Sequence, residues 1–450
     1  MDYQKSINLI MGMTDYERPS STRGQRVRYN LDRITSFMST LNDVHLETPC
    51  VHIAGTKGKG STSSMISSIL EEAGYRTGLF TSPHLHTFRE RIQISNTPIS
   101  ESDFSYLVQS LWDKMLEINK TSQDRITVFE LLTAMSFYHF KDKGTDINVI
   151  EVGLGGRLDS TNIVEPVAAG ITSLGLDHTD ILGNTISEIA WEKSGIIKDG
   201  IPVISASQPP EAMKVITDVC RDKGSAISKV GEDILWESKS SSIYGQECEI
   251  KTQNHNYSLK IPLIGDHQIE NASIAIGVIE RLTSAGFQIS SKAIHDGLLH
   301  VKWPCRFELI NEDPKIVADG AHNPHSAEAL VGTVKKLLPS NQIILVLGVS
   351  TNKDLEALIN EYNKLSPKLI LATRSRNTRA IEPTKISDAA KMFGYDTLIT
   401  ESVAEAVEEA KNFVDKDDII LVTGSLFVAA EAREFVKNIS PEIYLSLIHI

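Results

Sequence analysis

The sequence predicts an α/β protein of two domains. The larger N-terminal domain has the organisation of a P-loop ATPase, a mostly parallel sheet with a small β-rich part added. The C-terminal domain is a Rossmann-like α/β unit. Three observations lead there. Short β-branched runs alternate with amphipathic stretches from Val51 onward, and that alternation stops in a polar region and restarts after Lys302. A glycine-rich turn joins the first buried strand to the first long helical pattern. At 450 residues, with 41% hydrophobic and 23% charged, the chain is too long for one small domain and has the balance of a globular protein.

Val51-His52-Ile53-Ala54-Gly55 reads as a buried strand running into the turn. Apolar residues at Met65, Ile66, Ile69, Leu70 and Ala73 then follow helical spacing, and Gly74 is placed to end that helix. Strands are expected at 77–81, 148–152 and 172–176. Strand–helix–strand alternation of this kind implies a parallel sheet covered on both faces. Between Ser225 and Pro262 the text turns polar and strand-like, which gives the β-rich part, with Ser238–Ser242 as a loop. Helical stretches follow at 268–285 and 290–301. The second series has strands at 316–319, 343–347, 369–373 and 419–423. Lys302-Trp303-Pro304 is the expected boundary because proline disfavours helix on both its sides, so the domains are 1–301 and 302–450. A cleft between two α/β domains is where a ligand is expected.

Composition narrows the partners. Lys+Arg of 45 against Asp+Glu of 58 gives 45 − 58 = −13, a poor charge for sequence-independent nucleic-acid binding. Local geometry can still hold anionic small molecules. Cys50, Cys220, Cys248 and Cys305 form no C-x-x-C pair, which argues against a structural zinc site or a disulfide framework. No apolar run reaches the ~20 residues needed to span a bilayer, and the start Met-Asp-Tyr-Gln-Lys-Ser is not an export signal. A cytoplasmic protein without membrane or nucleic-acid partners is expected. The apolar end, Tyr444–Ile450, reads as an assembly or cloning remnant.

Gly55-Thr56-Lys57-Gly58-Lys59-Gly60-Ser61-Thr62 is the most informative octet. Glycines let successive N–H groups converge on phosphate oxygens, and the helix that follows points its positive end at the same anion. Lys59 can bridge β- and γ-phosphates, and a Ser61 or Thr62 hydroxyl can hold Mg²⁺. The octet departs twice from G-x-x-x-x-G-K-[ST]: Ile53 stands where the first glycine belongs, and Gly60 follows Lys59. Set against an ordinary glycine turn with two solvated lysines, nucleotide binding is the stronger reading.

With those departures the octet resembles the phosphate loop of the Mur-ligase superfamily. Further segments resemble one branch, the folylpolyglutamate synthase/dihydrofolate synthase family. They are Thr81-Ser82-Pro83-His84-Leu85 with Glu90-Arg91, the run Glu151–Asn162, and Leu176-Asp177-His178-Thr179-Asp180 with Leu182-Gly183. Glu192-Lys193-Ser194-Gly195, the run Asp319–Pro324, and Thr423-Gly424-Ser425-Leu426-Phe427 complete the set in family order.

The resemblance implies an ATP-dependent amide ligase that joins L-glutamate to a folate or pteroate carboxylate through an acyl phosphate, acting as a monomer. It implies Mg²⁺, one ion or two, at Ser82, Glu151 and His178. Glu151 ends an apolar strand, and strand carboxyl ends face the crevice in open α/β sheets. Lys193 is either a surface lysine or, as often in this superfamily, carbamylated to support a second ion. Nucleotide contacts beyond the octet are implied at Asn271, Arg306 and Asp319, and glutamate contacts at His322 and Ser425. Lys59, Lys193, His322 and Asp319 form the implied catalytic set. For the pterin the matching positions are Thr127, Phe129, Glu130, Leu158, Asp159 and Ser160, with Phe129 equally readable as core.

Two alternatives stand beside this. A ligase of UDP-linked muramyl peptides would carry a UDP-binding domain before the loop, where this sequence has 54 residues. A non-catalytic nucleotide-binding module would leave Glu151, His178 and Lys193 without a purpose. Dihydropteroate, tetrahydrofolate or both remain open as acceptors.

Overall fold

Strand β1 (Cys50–Ala54) is buried at every position, because a parallel neighbour lies on each side of it and helices cover both faces. The structure is a computed structural model that describes residues 1–13, 29–121, 124–351 and 353–442, so the 444–450 tail lies outside the described residues. The first sheet continues with β2 (Thr77–Phe80), β3 (Ile92–Ile94), β4 (Thr97–Pro98), β5 (Ile147–Glu151), β6 (Ala168–Ile171), β7 (Val203–Ser205) and β8 (Ile227–Lys229). Their spatial order is β4-β3-β2-β5-β1-β6-β7-β8, with β3 and β4 antiparallel and the rest parallel. On one face Val51 and Ile53 pack with Met65, Ile66, Ile269 and Leu298 from the helices Lys59–Glu72, Asp266–Ser284 and Ser291–His300. On the other, Cys50, Phe80 and Ile150 meet Phe37, Phe104, Leu131 and Phe140 from the helices Asp32–Ser39, Glu101–Thr121 and Val128–Asp142. Each such side chain, fully buried, contributes about 1.5–3 kcal/mol of hydrophobic stabilisation.

Strand β6 stops at Ile171, so Thr172–Leu176, expected as strand, is loop. The Ser173 carbonyl accepts instead from the N–H groups of Thr56 and Lys57, at 3.0 and 3.1 Å. A second correction falls in the β-rich part. Ser238–Ser242 lies inside β9 (Leu235–Ser242), which pairs antiparallel with β10 (Gly245–Lys251), itself paired with β11 (Asn256–Ile261). The serines mislead because β9 is an edge strand held by its backbone ladder. The apolar alternation that marks this small sheet sits on its neighbours, at Cys248, Ile250, Tyr257, Leu259 and Ile261.

The third sheet comprises β12 (Glu308–Glu312), β13 (Lys315–Ala318), β14 (Ile343–Leu347), β15 (Leu369–Ala372), β16 (Thr397–Ile399) and β17 (Ile419–Thr423). Their order is β12-β13-β17-β14-β15-β16, parallel apart from β12. Alternate residues feed two cores. Val317, Leu345 and Leu421 join one, and Ile316, Val346 and Ile420 the other. The four cysteines are buried and unpaired, each in a different core cluster. No helix of the described residues is long and apolar enough to cross a membrane.

Candidate active site

The helix Lys59–Glu72 begins at Gly58, whose φ of 89° closes the turn out of β1. A side chain at Gly58 would put its Cβ 2.2 Å from Asn271 Oδ1, so the glycine lets the turn lie directly against Asn271. The first helical bond of this turn is Thr62 N–H to Gly58 O at 2.9 Å. The N–H groups of Lys59, Gly60 and Ser61 therefore precede it and face outward at the positive end of a 14-residue helix. Lys59 folds back over the turn, Nζ to Gly55 O at 3.2 Å. Thr62 Oγ1 is buried with no hydrogen-bond partner among the described residues.

Around this end the structure gathers charge from both domains. Glu151, at the end of β5, is 3% exposed and accepts the Ser82 N–H at 3.0 Å. Burial pushes its carboxyl up to about 7 against the opposing charge of Lys59 and Arg306 and the Ser82 bond. Lys193 is no surface lysine. It is 4% exposed, its Nζ has no ion pair or hydrogen bond among the described residues, and burial with repulsion from Lys59 lowers its pKa to about 7. Its helix, Ile186–Ser194, is set by a Thr185–Glu188 capping box, and the 153–157 loop docks on it through Arg157 N–H to Glu192 O at 2.7 Å.

Asp177 is the hub between the domains. It takes Lys57 Nζ at 3.0 Å from its own domain, and Lys353 Nζ and Asn323 Nδ2, each at 3.5 Å, from the other. Burial alone would raise its carboxyl, but Lys57 and Lys353 together hold it well below the usual carboxylate range. Lys57 also lies 3.0 Å from His322 Nε2. His322 sits just before the helix Pro324–Leu337, whose Asn323 cap accepts Ser326 N–H at 2.9 Å.

Of the implied Mg²⁺ ligands, Ser82 and Glu151 are adjacent. His178 is 54% exposed at a φ of 51°, with Asp177 Oδ1 4.0 Å from its Nε2. No group of three or more His, Cys, Asp or Glu forms a ready-made cage among the described residues. That fits Mg²⁺, which is usually held by one or two carboxylates and substrate phosphates. The buried Glu151 and the unpartnered Thr62 hydroxyl are suitable donors beside the loop.

In the second domain Asp319 accepts N–H from Phe307 and from Ala321, each at 2.8 Å, and so shapes the turn that carries Arg306. Ser425 caps the helix Leu426–Lys437. At the implied pterin positions several polar groups are engaged locally. Thr127 and Glu130 form a capping box, and Glu130 pairs with Arg33, 3.1 Å away and 6% exposed. Asp159 accepts from Leu154 N–H at 2.8 Å and Thr161 N–H at 3.0 Å. Phe129 is half-buried, 5.7 Å from Phe80 and directly over Gly153, whose added Cβ would lie 2.5 Å from Phe129 Cζ. Leu158 and Ser160 are half-buried beside it in sequence. Sequence reasoning missed Lys353, Arg33 and the hub role of Asp177. Lys353 follows the carboxyl end of β14, the kind of position that faces a crevice, and that signal could have found it.

The Mur ligase middle domain profile matches residues 53–279, and the Mur ligase glutamate ligase domain profile matches 305–426. The chain is 34% identical over 418 residues to a dihydrofolate synthase/folylpolyglutamate synthase of Bacillus subtilis, covering 91% of this chain and 96% of that one. It is similar to the crystal structure of folylpolyglutamate synthase from Thermotoga maritima, with a TM-score of 0.84, 34% identity, and 97% and 96% of the two chains covered. The Mycobacterium tuberculosis folylpolyglutamate synthase complexed with ADP and AMPPCP matches with a TM-score of 0.85 at 31% identity, covering 91% of this chain and 96% of that one.

Proposed function

The chain belongs to the folylpolyglutamate synthase/dihydrofolate synthase family of Mur ligases, and on that premise we propose how its cleft carries out ATP-dependent ligation of glutamate. The observation that carries the proposal is the convergence of Lys57, Asp177, His322 and Lys353 from two domains at the mouth of the phosphate loop. A module that only bound nucleotide would not need cations and a neutral imidazole from a second domain there.

ATP is placed with its phosphates on the N–H groups of Lys59, Gly60 and Ser61, its charge shared by Lys57 and Lys59, with Gly55, Thr56, Gly58 and Thr62 shaping the turn. Asn271 lies against Gly58 and contacts the nucleotide. Arg306, aimed by Asp319, reaches the phosphates from the second domain. Ser82, Glu151 and His178 are the residues proposed to hold Mg²⁺, which would supply charge neutralisation for the phosphoryl transfer. A buried amine with a pKa near 7 has a substantial neutral fraction at neutral pH, and that fraction can capture CO₂ with loss of a proton, which supports the carbamylated form of Lys193.

The acceptor carboxylate takes the γ-phosphoryl group from ATP and ADP is released; the bound glutamate ammonium gives a proton to solvent, and the resulting amine attacks the acyl carbon with loss of phosphate. His322 positions that amine. In this structure the Lys57 ammonium occupies His322 Nε2 and Asp177, and the ammonium of incoming glutamate makes the same bonds. Ser425 and Lys353 bind glutamate carboxylates. Phe129 lies against the pterin, with Leu158 and Ser160 on the neighbouring loop, while Thr127, Glu130 and Asp159 hold that wall in place. The two catalytic halves divide at Lys302, and the enzyme acts as a monomer.

The test is the purified protein with ATP, Mg²⁺ and L-glutamate, given dihydropteroate or tetrahydrofolate in separate reactions, with products weighed by mass spectrometry. A gain of one glutamate on either acceptor supports the proposal and names the acceptor. Turnover of UDP-muramyl substrates with none of folates would overturn it.

A further inference from the structure

The linker between the domains is pinned on the phosphate loop at one residue and turned sharply three residues later. A Cβ built on Gly60 would lie 2.4 Å from Trp303 Cζ2 and 2.9 Å from its Cε2, so the indole rests directly on the backbone of the loop. Ser64 Oγ donates to Lys302 O at 3.2 Å, fixing the linker one residue earlier on the same helix. Beyond Pro304 come two non-glycine residues in the left-handed region, Cys305 (φ 58°) and Phe307 (φ 47°), on either side of Arg306. Such residues cost of order 1–3 kcal/mol each and persist only where the surroundings hold them. Here Cys305 N–H goes to Glu308 Oε2 at 2.9 Å, Cys305 O takes Gly320 N–H at 3.0 Å, and Phe307 N–H goes to Asp319 at 2.8 Å. The Arg306 side chain crosses Gly320, whose added Cβ would lie 2.8 Å from Nη1, and Nη1 donates to Cys305 O at 2.9 Å, so the guanidinium is held on the same braced turn.

We propose that Trp303 is a positioning residue for the ligation: seated on Gly60, it ties the start of the linker to the phosphate loop, and the braced turn after it sets the reach of Arg306 toward the phosphates. The proposal rests on the reading of Arg306 as a phosphate contact. It also gives Gly60 a reason. Any side chain at this position would lift the indole off the loop, so the position that departs from the strict nucleotide pattern is the one the linker occupies.

The experiment is a double-mutant cycle of Trp303→Ala with Arg306→Ala in the full-length enzyme, reading kcat, KM for ATP and for the folate acceptor, and the melting temperature. Trp303→Ala should lower kcat/KM for ATP by about tenfold or more with the acceptor KM little changed, and Trp303→Phe should restore most of it. On the Arg306→Ala background the same change should cost little more, because its effect acts through Arg306. Gly60→Ala, which displaces the indole from the other side, is read by the same cycle should Trp303→Ala fail to fold. Losses that multiply independently overturn the proposal, as does a Trp303→Ala enzyme with wild-type kinetics. An Arg306→Ala enzyme that binds and uses ATP normally overturns the reading of Arg306 and the proposal with it. An impaired Arg306→Ala enzyme with independent Trp303 losses overturns the proposal alone.

Discussion

Lys57 Nζ and His322 Nε2 meet across the domain boundary at 3.0 Å. His322 Nδ1 lies 2.9 Å from Gly320 O, a carbonyl that can only accept. The ring proton therefore sits on Nδ1 and the Nε2 lone pair faces the ammonium. Burial, reinforced by the charges of Lys57 and Lys353, takes the ring down to about 3, so it stays neutral at any working pH. His322→Ala should lower kcat/KM for glutamate by about 10–100-fold, the value of a hydrogen bond to a charged group, with KM for ATP much less affected. The deficit should be the same at pH 6 and pH 8. A deficit confined to pH values below the ordinary imidazole range would count against a neutral acceptor.

Lys193 should carry CO₂ in proportion to its neutral fraction. With the amine near 7, labelling by ¹³C-bicarbonate should rise between pH 6 and pH 8 and be absent in Lys193→Ala. Activity of Lys193→Ala should be strongly reduced and partly restored by small carboxylates. Equal labelling in the variant would sink the assignment.

Gly58→Ala tests the turn. The substitution adds strain at a φ of 89° and drives Cβ into Asn271, so ADP affinity measured by calorimetry should fall by about tenfold or more while the fold survives. Unchanged affinity would mean that the nucleotide does not sit on this turn.

Glu130 was assigned to the pterin from its sequence context, but its carboxylate is buried against Arg33 and caps its own helix. Glu130→Ala leaves Arg33 with Asp124, 3.4 Å away, and should destabilise the protein by about 1–3 kcal/mol, the value of a lost hydrogen bond to a charged group. Thr127→Ala removes only the cap, about 1 kcal/mol. Both should show in chemical denaturation before they show in KM for the acceptor.

These residues mark where the sequence was legible. The phosphate loop, Glu151 at its strand end and the two α/β series could be read because each is a local pattern: glycines in a turn, a polar residue closing an apolar run, a period that repeats. Thr127 and Glu130 lie in a matching motif, yet a motif does not say which way a carboxylate turns. Arg33, 97 residues away from Glu130, decides that. The hub role of Asp177 is hidden for the same reason: its partners Lys57, Asn323 and Lys353 lie 120, 146 and 176 residues away.

Acid should weaken the fold before it reaches the carboxylates. Burial holds His52 down to about 3 and His139 to about 4, so between there and pH 6.5 the unfolded chain binds protons that the folded chain refuses. The contribution of these two histidines is therefore full above pH 6.5 and is lost as pH drops through that window. The melting temperature should decline between pH 7 and pH 5, and less steeply in His52→Gln. A slope unchanged by that substitution would show that His52 is not one of the groups responsible.

The four buried thiols give the molecule its own set of clocks. Cys50 lies in the core under the N-terminal helices, Cys220 in that of the helix Pro210–Asp222, Cys248 in the small antiparallel sheet, and Cys305 at the joint of the second domain. Burial raises the pKa of all four, so none reacts readily in the closed protein. Alkylation then waits on opening. The order in which the four sites take up a thiol reagent under mild denaturant is the order in which the cores come apart, and any retardation of that order by nucleotide shows which of them the bound ligand holds shut.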